Sequence, residues 1–370
     1  MYLAETLGNL LGRFAGIKER SRLRYCLNYF EPMQKIRAFA AMKAGAPLQP
    51  FEYTPKPLAE GEVEIQVESC GICHSDLSMI GNDWGNAVFP LVPGHEVVGK
   101  VVNVGPAAHR FKKGDGVGVG WFTKSCRYCH PCQQGNLNLC ATAEQTIVGR
   151  HGGFADRVIA HEMWTHPMPA GLDPVSSGPL FCGGITVFSP IVISEVQPTA
   201  RVAVVGIGGL GHLALQFLHH WGCDVTAFTS TSGKTEELKK LGAHHVASLK
   251  NEAELDKLNG SFDFILVTVN VSLDWARLIQ LLAPKGRLHL VGAVLEPLSL
   301  PVFPMLMGQK VVSASPLGSP AVTADMLDFC VRHKIAPMVE TFPMSKVNDA
   351  LTHLRSGKPR FRIVLQNDFS

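Results

Sequence analysis

Apolar residues follow two different rhythms along the chain. From Ile36 to about Phe181 they come in short alternating runs such as Glu62-Val63-Glu64-Ile65-Gln66-Val67, separated by turns such as Lys113-Gly114-Asp115-Gly116, in a stretch rich in Gly, Pro and Val. A period of two predicts half-buried strands, so this part reads as an irregular β domain. After about Thr186 strand and helix patterns alternate. Arg201 to Val205 is a strand followed by a helix to Trp221, and Asp224 to Phe228 is a strand followed by a helix from Lys234 to Leu241 that Gly242 closes. Phe262 to Val269 and Arg287 to Val291 supply further strands. Such alternation predicts an α/β fold class with a doubly wound parallel sheet.

Residues 1–32 differ from the rest. Leu7, Leu10, Leu11 and Phe14 have helical spacing, and Arg13, Lys18, Arg20, Arg22 and Arg24 outnumber Glu5 and Glu19. No continuous apolar core or small-residue cleavage site follows, so the segment reads as an upstream extension rather than a targeting sequence. A working domain then begins near Met33.

Composition narrows the function classes. With 370 residues, 46% hydrophobic and 18% charged, the chain can bury two cores. A net charge of +3 from 34 cationic and 31 anionic residues gives no field suited to nucleic acid or an anionic membrane. The uncharged stretch Val202 to Cys223 has membrane length, but Gly206, Gly208, Gly209, Gly211, Gln216 and three histidines interrupt it. Small molecules are the expected partners. The ten cysteines are spread out except for four between residues 126 and 140, which reads as metal binding in a reducing, cytoplasmic setting rather than a secreted disulfide framework.

Those four, Cys126, Cys129, Cys132 and Cys140, have the spacing C-x2-C-x2-C-x7-C, which lets four thiolates converge on zinc within one loop. A closed four-thiolate site leaves no position for substrate, so its role is structural. An iron-sulfur cluster or a nucleic-acid-binding zinc ribbon are the alternatives, and neither predicts the motif found downstream. A second set of candidate ligands lies in Gly71-Ile72-Cys73-His74-Ser75-Asp76-Leu77 and in Pro93-Gly94-His95-Glu96. Taken singly, a cysteine and a histidine are more often packing residues.

Downstream, Val202-Ala203-Val204-Val205-Gly206-Ile207-Gly208-Gly209-Leu210-Gly211 fits G-x-G-x-x-G between a strand and a helix, where glycines let a pyrophosphate approach the helix N-terminus. An NAD site normally carries Asp or Glu at the end of the next strand. This chain reads Phe228-Thr229-Ser230-Thr231-Ser232-Gly233-Lys234 instead, whose hydroxyls and lysine suit a 2′-phosphate and hence NADP. A plain helix-capping loop is the bland reading of the same residues.

The two ligand motifs, their order and the four-cysteine loop behind them resemble the zinc-containing medium-chain dehydrogenases. The run Pro179-Leu180-Phe181-Cys182-Gly183-Gly184-Ile185-Thr186-Val187 and the serine-rich segment ending at Lys234 are similar to the cinnamyl alcohol dehydrogenase-like branch. The resemblance covers residues from about 33 onward. It implies a GroES-like catalytic domain over 33–185, a Rossmann domain over 186–335 and a return to the first domain over 336–370. It also implies a catalytic zinc held by Cys73, His95 and Cys182, with Glu96 as a carboxylate able to enter the coordination sphere and Asp76 orienting the histidine. With the structural site this makes two zinc ions per chain.

By the same resemblance Ser75 is a relay hydroxyl at the reacting end of the cofactor. Gly206, Ile207, Gly208, Gly209, Leu210 and Gly211 carry its pyrophosphate, Thr229, Ser230, Thr231 and Lys234 its 2′-phosphate, and Thr186, Thr268 and Gly292 lie along it. The chain departs from many relatives at Ser78, where they place a histidine that continues the relay, so water or His74 is left for that step. Trp84 and Phe89 are candidates for an aromatic pocket. The implied protein is a homodimeric reductase of aromatic or medium-chain aldehydes using NADP(H). A zinc-independent quinone reductase and a non-catalytic NADP-binding protein are the rival readings.

Overall fold

The computed structural model describes residues 34–229 and 233–369, so the helical spacing in residues 1–32, Cys26, Ser230 and Thr231 lie outside it. Contacts divide the chain into two units, Met1–Ile36 with Glu52–Pro57 and Arg37–Phe51 with Leu58–Ser370. The described part of the first carries an exposed pair between Lys35 and Glu52 at 3.4 Å. Everything that follows belongs to the second.

In that unit β1 (Glu62–Ile72) runs into α1 (His74–Gly81), and β2 (Val97–Val104), β3 (Gly116–Val119), β4 (Arg157–His161) and β5 (Thr165–Pro167) complete the first series. Helix α2 (Gly183–Ile193) leads to β6 (Arg201–Val205), α3 (Gly211–Trp221), β7 (Asp224–Phe228), α4 (Thr235–Lys240) and β8 (His245–Ala247). Then come β9 (Phe262–Val267), α5 (Trp275–Leu281), β10 (Leu282–Leu290), α6 (Val302–Gly308), β11 (Val311–Ala314) and α7 (Pro320–His333). The chain closes with β12 (Val339–Pro343), α8 (Val347–Arg355) and β13 (Arg362–Gln366).

Six strands form one wholly parallel sheet in the order β8-β7-β6-β9-β10-β11. Its centre shows why a continuous apolar run is needed there. Val202 and Val204 of β6 enter one core with Phe217, Leu218 and Leu238, while Ala203 and Val205 enter the other with Phe228, Leu278 and Leu288. Side chains alternate faces at a period of two, and helices cover both faces, so beyond the exposed Arg201 at its start the strand has no position for a polar residue.

The other sheet has the order β12-β13-β1-β2-β3-β5, with β4 also paired to β1. Its register brings distant residues to one end. Antiparallel pairing sets Cys70 opposite Val97, and the Gly71 amide donates to the Glu96 carbonyl at 3.0 Å, so His95 and Glu96 arrive beside the end of β1. On the other flank Ile363 of β13 faces Ile72, which puts Arg362 beside Cys73. The residue boundary expected at 185/186 falls inside α2, whose Leu180–Ile191 neighbourhood packs with Val202, Met326 and Phe361 in one core.

Candidate active site

Cys73 leaves β1 and caps α1, and Asp76 in the first turn of that helix organises the surroundings. One Asp76 oxygen accepts from the Cys73 amide at 2.9 Å; the other accepts from the Gly94 amide at 2.9 Å and from His95 Nδ1 at 3.0 Å. Helix capping and histidine orientation are therefore the work of one carboxylate. A carboxylate partner keeps the proton on Nδ1 and leaves Nε2 with its lone pair. That nitrogen lies 3.2 Å from Cys182 Sγ, which is 3.9 Å from Cys73 Sγ. Cys182 comes from a tight turn, Gly178–Phe181, and caps α2.

Donor atoms of Cys73, His95, Glu96 and Cys182 all lie within 4.8 Å of one another, and all four residues are buried. Two thiolates on a tetrahedral zinc at bond lengths of about 2.3 Å stand about 3.8 Å apart, and the sulfurs here match that separation. Glu96 Oε2 is buried without a hydrogen-bond partner, and a Cβ on Gly71 would fall 1.9 Å from it, so the glycine is required for the carboxylate to enter. Soft donors, an oriented imidazole and an unpartnered buried oxygen together fit a zinc ion.

The titrating groups of the site shift in opposite directions, and the Cys182 thiol is pushed well up by its hydrogen bond to Cys73 and by burial. The hydrogen bond from Cys182, then His95 and the Arg362 charge, hold the Cys73 thiol well below the usual thiol range despite its burial. Burial opposes charge on His95, yet the Asp76 carboxylate and the Cys73 thiolate carry it well above the ordinary histidine range. Burial pushes the Glu96 carboxyl up, and the Arg362 guanidinium pulls against that. Arg362 donates to Glu96 through Nη2 and is itself buried, neutralising the carboxylate.

The other expected positions are placed as follows. Ser75 Oγ sits 3.7 Å from Cys73 Sγ, Ser78 is half-buried further along α1, and His74 is exposed. Cys126, Cys129, Cys132 and Cys140 form a separate cluster with sulfurs within 4.8 Å. There the Cys129 amide donates to Cys126 at 3.3 Å and the Cys126 amide to Cys140 at 3.4 Å. Against the cost of burial, the Cys126 amide and Thr142 hold Cys140 down to about 6. Cys70, Cys223 and Cys330 are buried free thiols that belong to neither set, and Cys70 lies within reach of the Asp76 and Glu96 charges.

Gly206 adopts φ +90, a left-handed conformation that favours glycine, and a Cβ on Gly211 would fall 2.1 Å from the Gly206 carbonyl. In front of Gly208 nothing lies within 4 Å, leaving room for a pyrophosphate. Ile207 and Leu210 pack down onto the core. The Thr268 hydroxyl donates to the Val205 and Gly206 carbonyls at 3.1 and 2.6 Å, so it fixes the turn. Gly292 lines a 680 Å³ cavity with Val291, Ser313 and Ser315. Thr186 is the half-buried position on an otherwise buried stretch of α2, and Lys234 caps α4.

Two residues escape sequence reading. Trp121 stands edge-on to His95 with ring centres 5.0 Å apart, and Trp84 stands edge-on to Trp121 at 5.9 Å, making an aromatic wall beside the ligands. Phe89, half-buried, belongs to no such ring pair among the described residues. Arg362 is the other. Its signal was a lone charge in the apolar run Phe361-Arg362-Ile363-Val364-Leu365, which demands a buried partner.

The family model of the alcohol dehydrogenase GroES-like domain matches residues 59–170, and that of the zinc-binding dehydrogenases matches 209–332. The chain is 56% identical to "Aldehyde reductase AdhA" of Synechocystis over 90% of its length and 99% of that protein. The chain belongs to the zinc-containing medium-chain alcohol dehydrogenases. Within them it sits in the cinnamyl alcohol dehydrogenase-like branch, being 41% identical to a probable cinnamyl alcohol dehydrogenase 8A of Oryza sativa over 88% of its length and 94% of that protein. The Sorghum bicolor cinnamyl alcohol dehydrogenase SbCAD4 superposes with a TM-score of 0.86 at 36% identity, covering 90% of this chain and 98% of that one. A cinnamyl alcohol dehydrogenase of Helicobacter pylori complexed with NADP(H) gives 0.82 at 28% identity, covering 90% and 98%.

In the dehydrogenase three of the buried histidines are strongly held against protonation. Burial first, then Arg110, Arg362 and Arg287 respectively, pushes His166 and His212 down to about 3 and His289 to about 4 from an ordinary 6.5. A depressed histidine contributes stability that is fully present above the unfolded pKa and is lost as pH falls toward the folded one. The window here runs from pH 6.5 down to about 3 for His166 and His212 and about 4 for His289. At pH 5.5 each group costs about 1.4 kcal/mol, so urea unfolding between pH 7.5 and 5.5 is expected to reveal a loss of about 4 kcal/mol. A loss below about 1 kcal/mol would mean that these rings titrate normally when folded.

Proposed function

We propose that this dehydrogenase reduces aromatic and medium-chain aldehydes to primary alcohols with NADPH. The observation that carries the reading is the buried Cys73, His95, Cys182 set with an aromatic wall beside it. When bound, zinc supplies a Lewis acid that polarises a carbonyl oxygen and NADPH supplies the hydride. Cys73, His95 and Cys182 hold the metal, and Asp76 fixes the histidine tautomer. Glu96, neutralised by Arg362, stands ready as a further ligand. Ser75, next to Cys73, is the hydroxyl that passes a proton toward substrate, and the half-buried Ser78 hands the outer step to water.

Trp121 and Trp84 exclude water on one side and offer flat apolar surface, which favours aromatic aldehydes. Gly206–Gly211 would hold the pyrophosphate of the cofactor, Thr229, Ser230, Thr231 and Lys234 its 2′-phosphate, and Thr186, Thr268 and Gly292 would lie along it, Thr186 near the nicotinamide end. On this reading residues 33–185 and 336–370 make the catalytic domain and 186–335 the cofactor domain. Clustered free thiols support a cytoplasmic setting. β11 is an open edge strand, and beside it Phe303, Leu306 and Met307 of α6 are 72%, 68% and 73% exposed, which supports a homodimer. Light scattering at the mass of one chain would overturn that assembly.

The function itself is tested by cofactor oxidation with benzaldehyde and cinnamaldehyde. NADPH is expected to outperform NADH by about a hundredfold in kcat/KM, two charge-assisted contacts being worth about that much. Lys234→Ala should raise KM for NADPH about tenfold and leave NADH unchanged. Equal use of both cofactors by the wild type would overturn the NADPH assignment.

A further inference from the structure

His212, in the first turn of α3, is fully buried and takes no part in the chemistry above. Both of its ring nitrogens are engaged. Nε2 accepts from the Met338 amide at 3.3 Å, which leaves the proton on Nδ1, and that group donates to the Gly208 carbonyl at 3.2 Å. The ring lies flat on Phe361, with centres 4.8 Å apart and planes 5° apart. One turn along the helix, Gln216 Nε2 donates to the Ala336 carbonyl at 3.5 Å, tying the same two segments together.

Met338 continues the connection. Its carbonyl accepts the amides of Phe361 and Arg362, both at 3.1 Å. Arg362 holds Glu96 beside the metal ligands, and its Nη1 lies 3.0 Å from the place a Cβ on Gly209 would occupy. An unbroken set of contacts therefore runs from the glycine-rich turn through His212, Met338 and Arg362 to Glu96.

We propose that His212 is a positioning residue that registers the glycine-rich turn against the Arg362–Glu96 pair, so that bound cofactor and metal ligands are held at a fixed separation. The proposal rests on the reading that this turn takes NADP(H). A neutral imidazole suits the role because it offers one donor and one acceptor in one rigid plane, as a bridge between a carbonyl and an amide requires. Burial, reinforced by the Arg362 charge, pushes its pKa down to about 3, which keeps the ring neutral, and the two hydrogen bonds select its tautomer.

The test uses the zinc-loaded full chain and NADPH fluorescence. His212→Phe keeps the ring stack on Phe361 and loses both hydrogen bonds, and His212→Asn keeps a donor for Gly208 and loses the bond from Met338. The NADPH dissociation constant is expected to rise about tenfold in His212→Phe and less in His212→Asn, with two zinc ions retained. In a double-mutant cycle with Arg362→Lys, the two losses are expected to be non-additive, since both residues act in one network.

A His212→Phe protein that is less heat-stable yet binds NADPH within about twofold of wild type would make the residue a packing element only and overturn the proposal. Additive losses in the cycle would overturn it as well. If His212→Phe is insoluble, His212→Asn decides by the same criteria. A wild-type protein that binds neither NADPH nor NADH overturns the cofactor reading itself, an outcome distinct from normal binding by the variants.

Discussion

Cys182→Ala is expected to lower NADPH-dependent aldehyde reduction by at least about a thousandfold, since the chemistry depends on a metal with one open position. Cys182 supplies one of two sulfurs 3.9 Å apart, and its loss leaves Cys73 and His95 with only the Glu96 carboxylate to complete a third bond. Exchanging a thiolate for a carboxylate already paired to Arg362 weakens the site for a borderline-soft ion. Metal analysis should therefore fall from two zinc ions per chain to one, while the four-cysteine lobe keeps its own. A variant that retains both ions and activity within about tenfold would remove Cys182 from the site.

Cys132→Ser should act on stability as much as on activity. The lobe around Cys132 and Cys140 has a small core of its own, made with Phe122, Leu137 and Trp164. Trp164 Nε1 donates to Ser125 Oγ at 2.9 Å, and Ser125 Oγ donates to the Leu137 carbonyl at 3.0 Å. So few apolar groups do not fold a loop without metal, because a structural zinc contributes about 10 kcal/mol or more where a whole domain keeps only 5–15 in roughly round numbers. The thermal midpoint is expected to fall by more than about 10 °C with the loss of one zinc.

The damage would not stay local. The lobe follows directly on Trp121, which abuts His95, and Asn138 Nδ2 donates to the Pro316 carbonyl at 3.2 Å at the rim of the Gly292 cavity. Turnover should fall with the midpoint, and added zinc should not restore it. A variant with one zinc but an unchanged midpoint would show that the lobe is held by packing rather than by metal.

Local features of this protein were legible from residue order alone. Cys126 to Cys140 span a single loop, so their spacing sets which sulfurs can meet. Gly206 to Gly211 join one strand to one helix, so the turn and its backbone approach are encoded where they occur. The parallel sheet was legible because a strand buried on both faces must be apolar throughout, as Val202 to Val205 are. Resemblance to relatives, and not spacing, linked Cys73, His95 and Cys182.

Only tertiary structure decided what those residues face. Cys182 lies 109 positions from Cys73, and Arg362 lies 266 positions from Glu96. Register between β1, β2 and β13 makes the second meeting, and the first depends on the Gly178–Phe181 turn packing against Glu96 beside those strands; both depend on the whole sheet rather than on any motif. The same holds for Trp121 against His95 and for His212 against Met338. A buried charge or imidazole announces that it needs a partner, but chain order says nothing about which one, because the partner is chosen by how distant strands pack.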